Sequence, residues 1–327
     1  MSAATNSNLF TRPAVLRMMA VASVPGKIIL LGEHGVLYGQ PCLSVAIDLR
    51  VGVEMQEGSA ATVNGRPLDS RRHTYIKHAI DKYWQGEPLE VVTYSKIPSA
   101  SGLGSSAAIT TASVACLLTL QQSFSPEEVA QRAFAVEYEV QRGGSPNDTS
   151  ACTQGSAIVL AREKRDHFIW KISRKDRTWY VHSIPAPEMD IVVGVTGVKS
   201  KTPQLVKKVR RFVNYSGFAR ELTQDIGGWV EEGIAALAHS DFVSLGEAMT
   251  ESQKILHTLG ASSPELEKLI QASLRAGAYG AKLTGAGGGG SMIALTDEPE
   301  KVAIAIEKAG GKALVTSISR EGTKVWV

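Results

Sequence analysis

Pro98-Ser99-Ala100-Ser101-Gly102-Leu103-Gly104-Ser105-Ser106-Ala107-Ala108 joins a β-like segment to a helix of small residues through a glycine-rich loop. Glycines let a backbone approach an anion closely, and the free N–H groups of a helix's first turn favour phosphate there. The serine hydroxyls add groups that can reach a phosphate oxygen or a hard cation. No Gly-Lys-Ser/Thr closes the loop, so it is not a Walker A sequence, and it lacks the Gly-x-Gly-x-x-Gly spacing of dinucleotide folds. On its own, such a loop also reads as a plain turn with an N-cap.

Two other segments change that balance. Pro25-Gly26-Lys27 opens an apolar run that ends in Gly32-Glu33-His34-Gly35-Val36-Leu37-Tyr38-Gly39-Gln40-Pro41. Near the other end, Lys282-Leu283-Thr284 leads into Gly285 to Gly290, five glycines in six positions between two strand-like runs. So much glycine costs chain entropy and removes packing side chains, which points to close backbone approach.

At 327 residues the chain exceeds the usual single-core size, so two lobes are expected. With 43% apolar and 20% charged residues it has the composition of a soluble globular enzyme. The net charge of +3 is small and the Lys/Arg residues are dispersed, which argues against nucleic acid as a partner. Lys207-Lys208-Val209-Arg210-Arg211 reads as a solvated helix face or, alternatively, as an anion-holding one. Cys42, Cys116 and Cys152 sit in apolar contexts and read as core thiols in a reducing compartment. The longest apolar run, 107–120, is interrupted by Ser and Thr and is too short for a bilayer, so no membrane is expected as a partner. Residues 1–20 lack acidic side chains and contain Arg12 and Arg17, which reads as a transit peptide or an unstructured tail. The expected compartment is the cytoplasm, or a mitochondrial or peroxisome-like organelle if that extension is a targeting segment.

Periodicity places strands at 21–31, 43–56 and 89–94, a helix over 72–83, a helix from Ser105 to about Gln122, and another that Ser125-Pro126 starts and Gly143-Gly144 stops. Strands at 156–161 and 168–173 complete a first lobe, 21–184. A second lobe, 185–327, has a strand at 189–196, helices over 203–213, 222–238, 241–258 and 264–276, strands around the glycine loop, a helix from Glu298, and strands at 313–318 and 323–327. The fold class is α+β with segregated lobes.

In this order and at these separations the three motifs resemble the GHMP family of small-molecule kinases, over nearly the whole chain from about Val21. Within that family, Gly32-Glu33-His34-Gly35-Val36-Leu37-Tyr38-Gly39 is most similar to mevalonate kinases. Galactokinases usually follow Glu-His with Thr-Asp and an aromatic residue, and phosphomevalonate kinases more often carry Gly-Glu-Tyr. The resemblance implies an N-terminal α/β nucleotide-binding lobe, a ferredoxin-like C-terminal lobe, and an active site in the cleft between them. It implies ATP and Mg²⁺ as cofactors, mevalonate as the acceptor whose terminal hydroxyl is phosphorylated, and leaves room for a homodimer. Another kinase of the family, such as a phosphomevalonate kinase, and a non-catalytic nucleotide or metabolite sensor are the alternatives. A phosphate-bearing acceptor would want extra cations, and Lys199, Lys201 and the Lys207 cluster keep it open.

By the same resemblance, Glu137 and the Ser106 hydroxyl hold the metal. Asp148, in the loop after Gly143-Gly144, acts as base, and Lys27 pairs with it or holds the γ-phosphate. Hard oxygen donors with ATP phosphates and waters suit Mg²⁺, so no all-protein cage is expected. On local sequence alone Glu137 reads as a solvated helix charge and Asp148 as a turn residue. Relatives commonly have Pro-Ser-Gly-Val-Asp where this chain has Gly144-Ser145-Pro146-Asn147-Asp148, which bears on the aim of Asp148. Ser95, Pro98, Ser101, Gly102, Leu103, Gly104, Ser105 and Ser106 match nucleotide-binding positions. Glu33 and His34 match acceptor positions, and Val195 and Thr196 are expected to add an apolar wall and a hydroxyl. Gly285, Ala286, Gly287 and Gly288 are expected to pack against the ATP loop.

Overall fold

Two long antiparallel strands, β1 (Met19–Leu31) and β2 (Cys42–Glu57), form the spine of the first lobe. The computed structural model describes residues 18–98, 101–175, 177–200 and 202–327. Residues 1–17 of the N-terminal extension, Ser99, Ala100 and Lys201 therefore lie outside the described residues. β1 begins at Met19, two residues before the expected start. A 3-10 turn (Gly35–Tyr38) links the two strands.

The first lobe continues with β3 (Thr62–Val63), β4 (Arg66–Pro67), α1 (Thr74–Tyr83), β5 (Leu89–Ser95), α2 (Ser105–Leu120), α3 (Pro126–Gln141), α4 (Asn147–Gln154), β6 (Ala157–Ala161), β7 (Phe168–Arg174) and β8 (Arg177–Ile184). Its sheet runs β4-β3-β5-β2-β6-β8-β7, with β1 along the opposite edge of β2. α2 is buried on every side between this sheet and α1 and α3. That is why its sequence carries small and apolar residues all round rather than a stripe. α3 starts as expected: the Glu128 N–H donates to the Ser125 side chain, Pro126 occupies the first turn, and Arg142 ends it in a left-handed conformation.

The second lobe contains β9 (Asp190–Val195), α5 (Thr202–Tyr215), α6 (Gly217–Ala238), α7 (Phe242–Thr258), α8 (Pro264–Arg275), β10 (Gly280–Thr284), β11 (Ser291–Thr296), α9 (Pro299–Lys308) and β12 (Lys312–Ser317). Its antiparallel sheet has the order β10-β11-β9-β12, the ferredoxin-like arrangement, with α9 as the crossover between β11 and β12. β1 alternates between buried and less buried positions up to Ser23 and is buried on both faces from Val24 onward, where α6, α7 and β10 cover it. The lobes consequently share one continuous apolar core.

Three expectations are corrected. Asp148 lies in the first turn of α4, not in a loop: Pro146-Asn147 reads as a turn, but the fold uses Pro146 as the N-cap of a short helix. β8 was not foreseen; it pairs with both β6 and β7. The last strand, β13 (Lys324–Trp326), leaves the second lobe and pairs with β1, so the lobe boundary does not run cleanly through 327. Among the described residues, no helix is long and apolar enough to cross a membrane.

Arg50 holds that returning tail. Its guanidinium donates to the Ser23 carbonyl (2.8 Å), the Ser23 hydroxyl (2.8 Å), the Ser319 hydroxyl (2.9 Å) and the Gly322 carbonyl (2.7 Å). Charged hydrogen bonds of this kind contribute about 1.5–3 kcal/mol each, less where water can replace them. Arg50→Ala is expected to destabilise the protein by about 2 kcal/mol and to expose the 318–327 segment to protease. Urea midpoints and limited proteolysis check this; an unchanged midpoint would refute the tail's anchoring role.

Candidate active site

Lys27 emerges from β1 into the junction between the lobes and is almost fully buried. Its ammonium lies 3.0 Å from an Asp148 carboxylate oxygen, and its backbone N–H donates to the Leu103 carbonyl at 3.0 Å. Burial is the largest single effect and lowers the lysine's pKa; the charge of Asp148 and its hydrogen bond, with smaller effects from Cys152 and Cys42, together outweigh it, and the net direction is upward. Strand, glycine-rich loop and α4 thus meet on one residue. Gly104, the N-cap of α2, has φ +80°, and a Cβ there would come within 2.8 Å of the Lys27 Cγ. Both facts restrict that position to glycine.

Glu137 of α3 faces the same space. It is 7% exposed, is near enough to the Ser106 side chain for that hydroxyl to favour its charged form, and accepts a hydrogen bond from the Gln141 amide at 3.2 Å. Burial, then the Asp148 charge, push its carboxyl up to about 7. The structure therefore brings together Lys27, Asp148, Glu137 and Ser106 from four separate elements.

The other expected residues sort into two groups. Ser101 is buried and donates its hydroxyl to the Pro98 carbonyl (2.7 Å), and Leu103 is buried with its carbonyl taken by Lys27, so both shape the loop. Ser105 and Ser106 open α2, where first-turn N–H groups have no intrahelical acceptor. Ser95 stands exposed at the end of β5 with its hydroxyl engaged by Ile97 of its own turn.

Glu33 is fully buried and forms an ion pair with Lys282 of β10, whose ammonium also donates to the Leu283 carbonyl (2.7 Å). Burial raises the carboxyl and lowers the ammonium, each opposed by its partner's charge. The second carboxylate oxygen of Glu33 has no partner. His34 donates from Nε2 to the Ala286 carbonyl at 2.9 Å, which leaves Nδ1 as a buried acceptor without a partner. Burial lowers its pKa, so the ring is neutral near pH 7.

A cavity of about 190 Å³ is lined by Lys27, Glu33, His34, Glu137 and Asp148 on its polar side. Ile29, Val36, Leu37, Phe134 and Val206 line its apolar side. Gly285 and Ala286 reach it too. A second hollow of about 230 Å³ is lined by Gly102, Lys199, Ser200, Thr284 and the glycine loop, and Ala286 borders both. Gly287 has φ +84°, and a Cβ there would meet the Ala261 carbonyl oxygen at 2.0 Å. Ser200 donates to the Gly287 carbonyl (2.6 Å), and the Gly288 N–H donates to Ala261 (2.8 Å).

Val195 and Thr196 do not line the cavity. β9 pairs with β11 so that Val195 faces Ser291, and the Thr196 hydroxyl donates to the Gly290 carbonyl at 2.8 Å. The apolar wall comes instead from β1, the 3-10 turn, α3 and α5. Sequence reasoning also gave no role to Lys282, although a lysine inside a wholly buried strand was a readable signal of a buried acidic partner.

The profile for the GHMP kinases N terminal domain matches residues 74–156, and that for GHMP kinases C terminal matches 234–314. Mevalonate kinase of Thermococcus sibiricus is 34% identical over 94% of this chain and 98% of that protein. That of Pyrococcus abyssi is 32% identical over the same shares. The L. major mevalonate kinase solved in complex with R-mevalonate has the same fold, with a TM-score of 0.77 at 23% identity over 95% of this chain and 99% of that one. A Streptococcus pneumoniae phosphomevalonate kinase shares the fold at a TM-score of 0.75 and 19% identity, over 92% of this chain and 100% of that one.

Glu137 gives a signed stability prediction. Its folded pKa lies above the ordinary carboxyl value, so between the two the folded state binds more protons than the unfolded one, and stability falls as pH rises from about 4.5 toward 7. The penalty above pH 7 is on the order of 3 kcal/mol. With a chelator present, Glu137→Gln is expected to melt above the parent protein at pH 8, and the gap should close below pH 4.5. Thermal unfolding across that range checks it; equal melting temperatures at pH 8 would refute a strained carboxylate.

Proposed function

We propose, on the premise that the chain belongs to the GHMP kinase family and within it stands with the mevalonate kinases, that it transfers the γ-phosphoryl group of ATP to the terminal hydroxyl of (R)-mevalonate. The product is 5-phosphomevalonate, a precursor of isoprenoids. The observation that carries this is the convergence of Lys27, Asp148 and Glu137, with Ser106 beside Glu137, on a cavity with an apolar wall and a neutral histidine acceptor.

Asp148 takes the proton of the terminal hydroxyl as its oxygen bonds to the γ-phosphorus and the bond to ADP breaks. Late proton transfer suffices in a loose transition state, so the base need not be strong. Lys27 holds Asp148 in place and supplies positive charge beside the developing oxyanion. His34 Nδ1 accepts a hydrogen bond from an acceptor hydroxyl, and Ile29, Val36 and Phe134 cover the acceptor's methyl group. The first turn of α2 and the glycine loop bind the ATP phosphates.

Glu137 and Ser106 fit a divalent cation. A nearly buried carboxylate whose charge is resisted by burial and by Asp148 would be relieved by a divalent cation, and its hard oxygens suit Mg²⁺. When bound, Mg²⁺ would offset charge on the phosphates. Among the described residues, Lys27 is the one lysine or arginine lining the cavity, and it is already paired. That disfavours an acceptor that already carries a phosphate. Free, buried Cys42, Cys116 and Cys152 suit a reducing compartment such as the cytoplasm.

ADP release with ATP and Mg²⁺ should occur with mevalonate and not with 5-phosphomevalonate, galactose or homoserine. Asp148→Asn and Lys27→Met are each expected to lower kcat by about 10²–10⁴-fold while keeping the fold. Turnover on phosphomevalonate would move the assignment within the family. ATP binding without ADP production from any of the four would indicate a sensor. Gly104→Ala should abolish turnover by displacing Lys27, and a variant with parental kcat would contradict the close contact.

A further inference from the structure

We propose that Asn147 is a positioning residue for Asp148, anchored in turn by Ser44; this rests on the reading of Asp148 as the base. Asn147 is 2% exposed and Ser44 is completely buried, yet both are polar. The Asn147 amide donates from Nδ2 to an Asp148 oxygen at 3.1 Å and to the Ser44 hydroxyl at 2.9 Å. The Ser44 hydroxyl donates back to the amide oxygen at 3.1 Å. A carboxylate only accepts, so the contact with Asp148 fixes which end of the amide is nitrogen.

The two oxygens of Asp148 therefore have different owners. Oδ2 is held by Lys27 and Oδ1 by Asn147. Lysine alone is a single point charge on a flexible stem and leaves the carboxylate free to rotate about its last bond. A second hold from the other side removes that rotation and turns a defined lone pair toward the cavity that Asp148 lines. Ser44 sits on β2, the most extensively paired strand of the lobe, so the anchor transmits the rigidity of the sheet to the first turn of α4. A buried amide carries a desolvation penalty that an apolar residue would avoid. The orientation of Asp148 is the return for it.

The test is a double-mutant cycle on turnover, with Asn147→Leu and Asp148→Asn made singly and together. Asn147→Leu is expected to lower kcat by about 10–100-fold with the KM values for mevalonate and ATP little changed. In the Asp148→Asn background it should cost almost nothing more, because the group it positions no longer acts as base. An equal loss in both backgrounds, or unchanged kcat in Asn147→Leu, overturns the positioning role. Parental turnover in Asp148→Asn alone would instead overturn the base assignment, so the two failures are told apart. Should Asn147→Leu fail to fold, Ser44→Ala takes its place in the cycle, with a smaller kcat loss expected and additivity again overturning the proposal.

Discussion

A lysine buried in a sheet cannot remain charged without an anion beside it, and Lys27 imposes that condition on everything around it. Desolvation favours its neutral form, and the Asp148 carboxylate at 3.0 Å is the main group that opposes it. Asp148 must therefore stand at the lobe junction, and α4 must start where it does. The same negative charge, second to burial, raises the pKa of Glu137. One buried cation thus sets the place of the proposed base, whose charge in turn adds to the electrostatic strain on the residue proposed to meet the metal.

The second lobe is fastened to the same strand and the turn that follows it. The Thr284 hydroxyl accepts from the Ile29 N–H (3.1 Å) and donates to its carbonyl (3.2 Å). Lys282 pairs with Glu33, and the Ala286 carbonyl takes the His34 proton. Buried ion pairs add little net stability, because the desolvation of two charges offsets their attraction, but losing one partner leaves an unpaired charge and is costly. The pair therefore acts as a registration device. It is satisfied only when the end of β1 meets β10 at one offset, and that offset brings Ala286 to the border of both hollows.

What the sequence made legible follows from how locally each feature is determined. The glycine-rich loop, the Ser125 cap and the five-glycine turn declare themselves within a few residues, because φ > 0 and capping are local demands. Periodicity placed the strands and helices of the second lobe, while its ferredoxin-like arrangement came from the family resemblance. α4 was not: Thr149, Ser150 and Thr153 are indifferent helix formers, and their helix exists because tertiary contacts hold it. The misplacement of Val195 and Thr196 has a similar origin, since the strand was found but its register against β11 was not. The roles of Lys282 and Asn147 depend on partners 249 and 103 residues away in the chain, Glu33 and Ser44. No local pattern encodes such distances.

These choices leave several buried polar groups of the cleft without partners from the protein itself. Glu137 is resisted as an anion, one oxygen of Glu33 and one nitrogen of His34 are buried without partners, and Lys27 is held charged by one carboxylate. Each is a group that a protein selected for stability alone would replace with an apolar side chain. Each also matches a need of phosphoryl transfer: a site for a cation, acceptors for hydroxyl protons, and positive charge at the reacting oxygen. Ligands that answer those needs bind the folded state alone and stabilise it by mass action. The unmet polar groups of the cleft are therefore a source of its affinity, because the binding free energy that relieves an unmet buried group is larger than that from a contact which water had already satisfied.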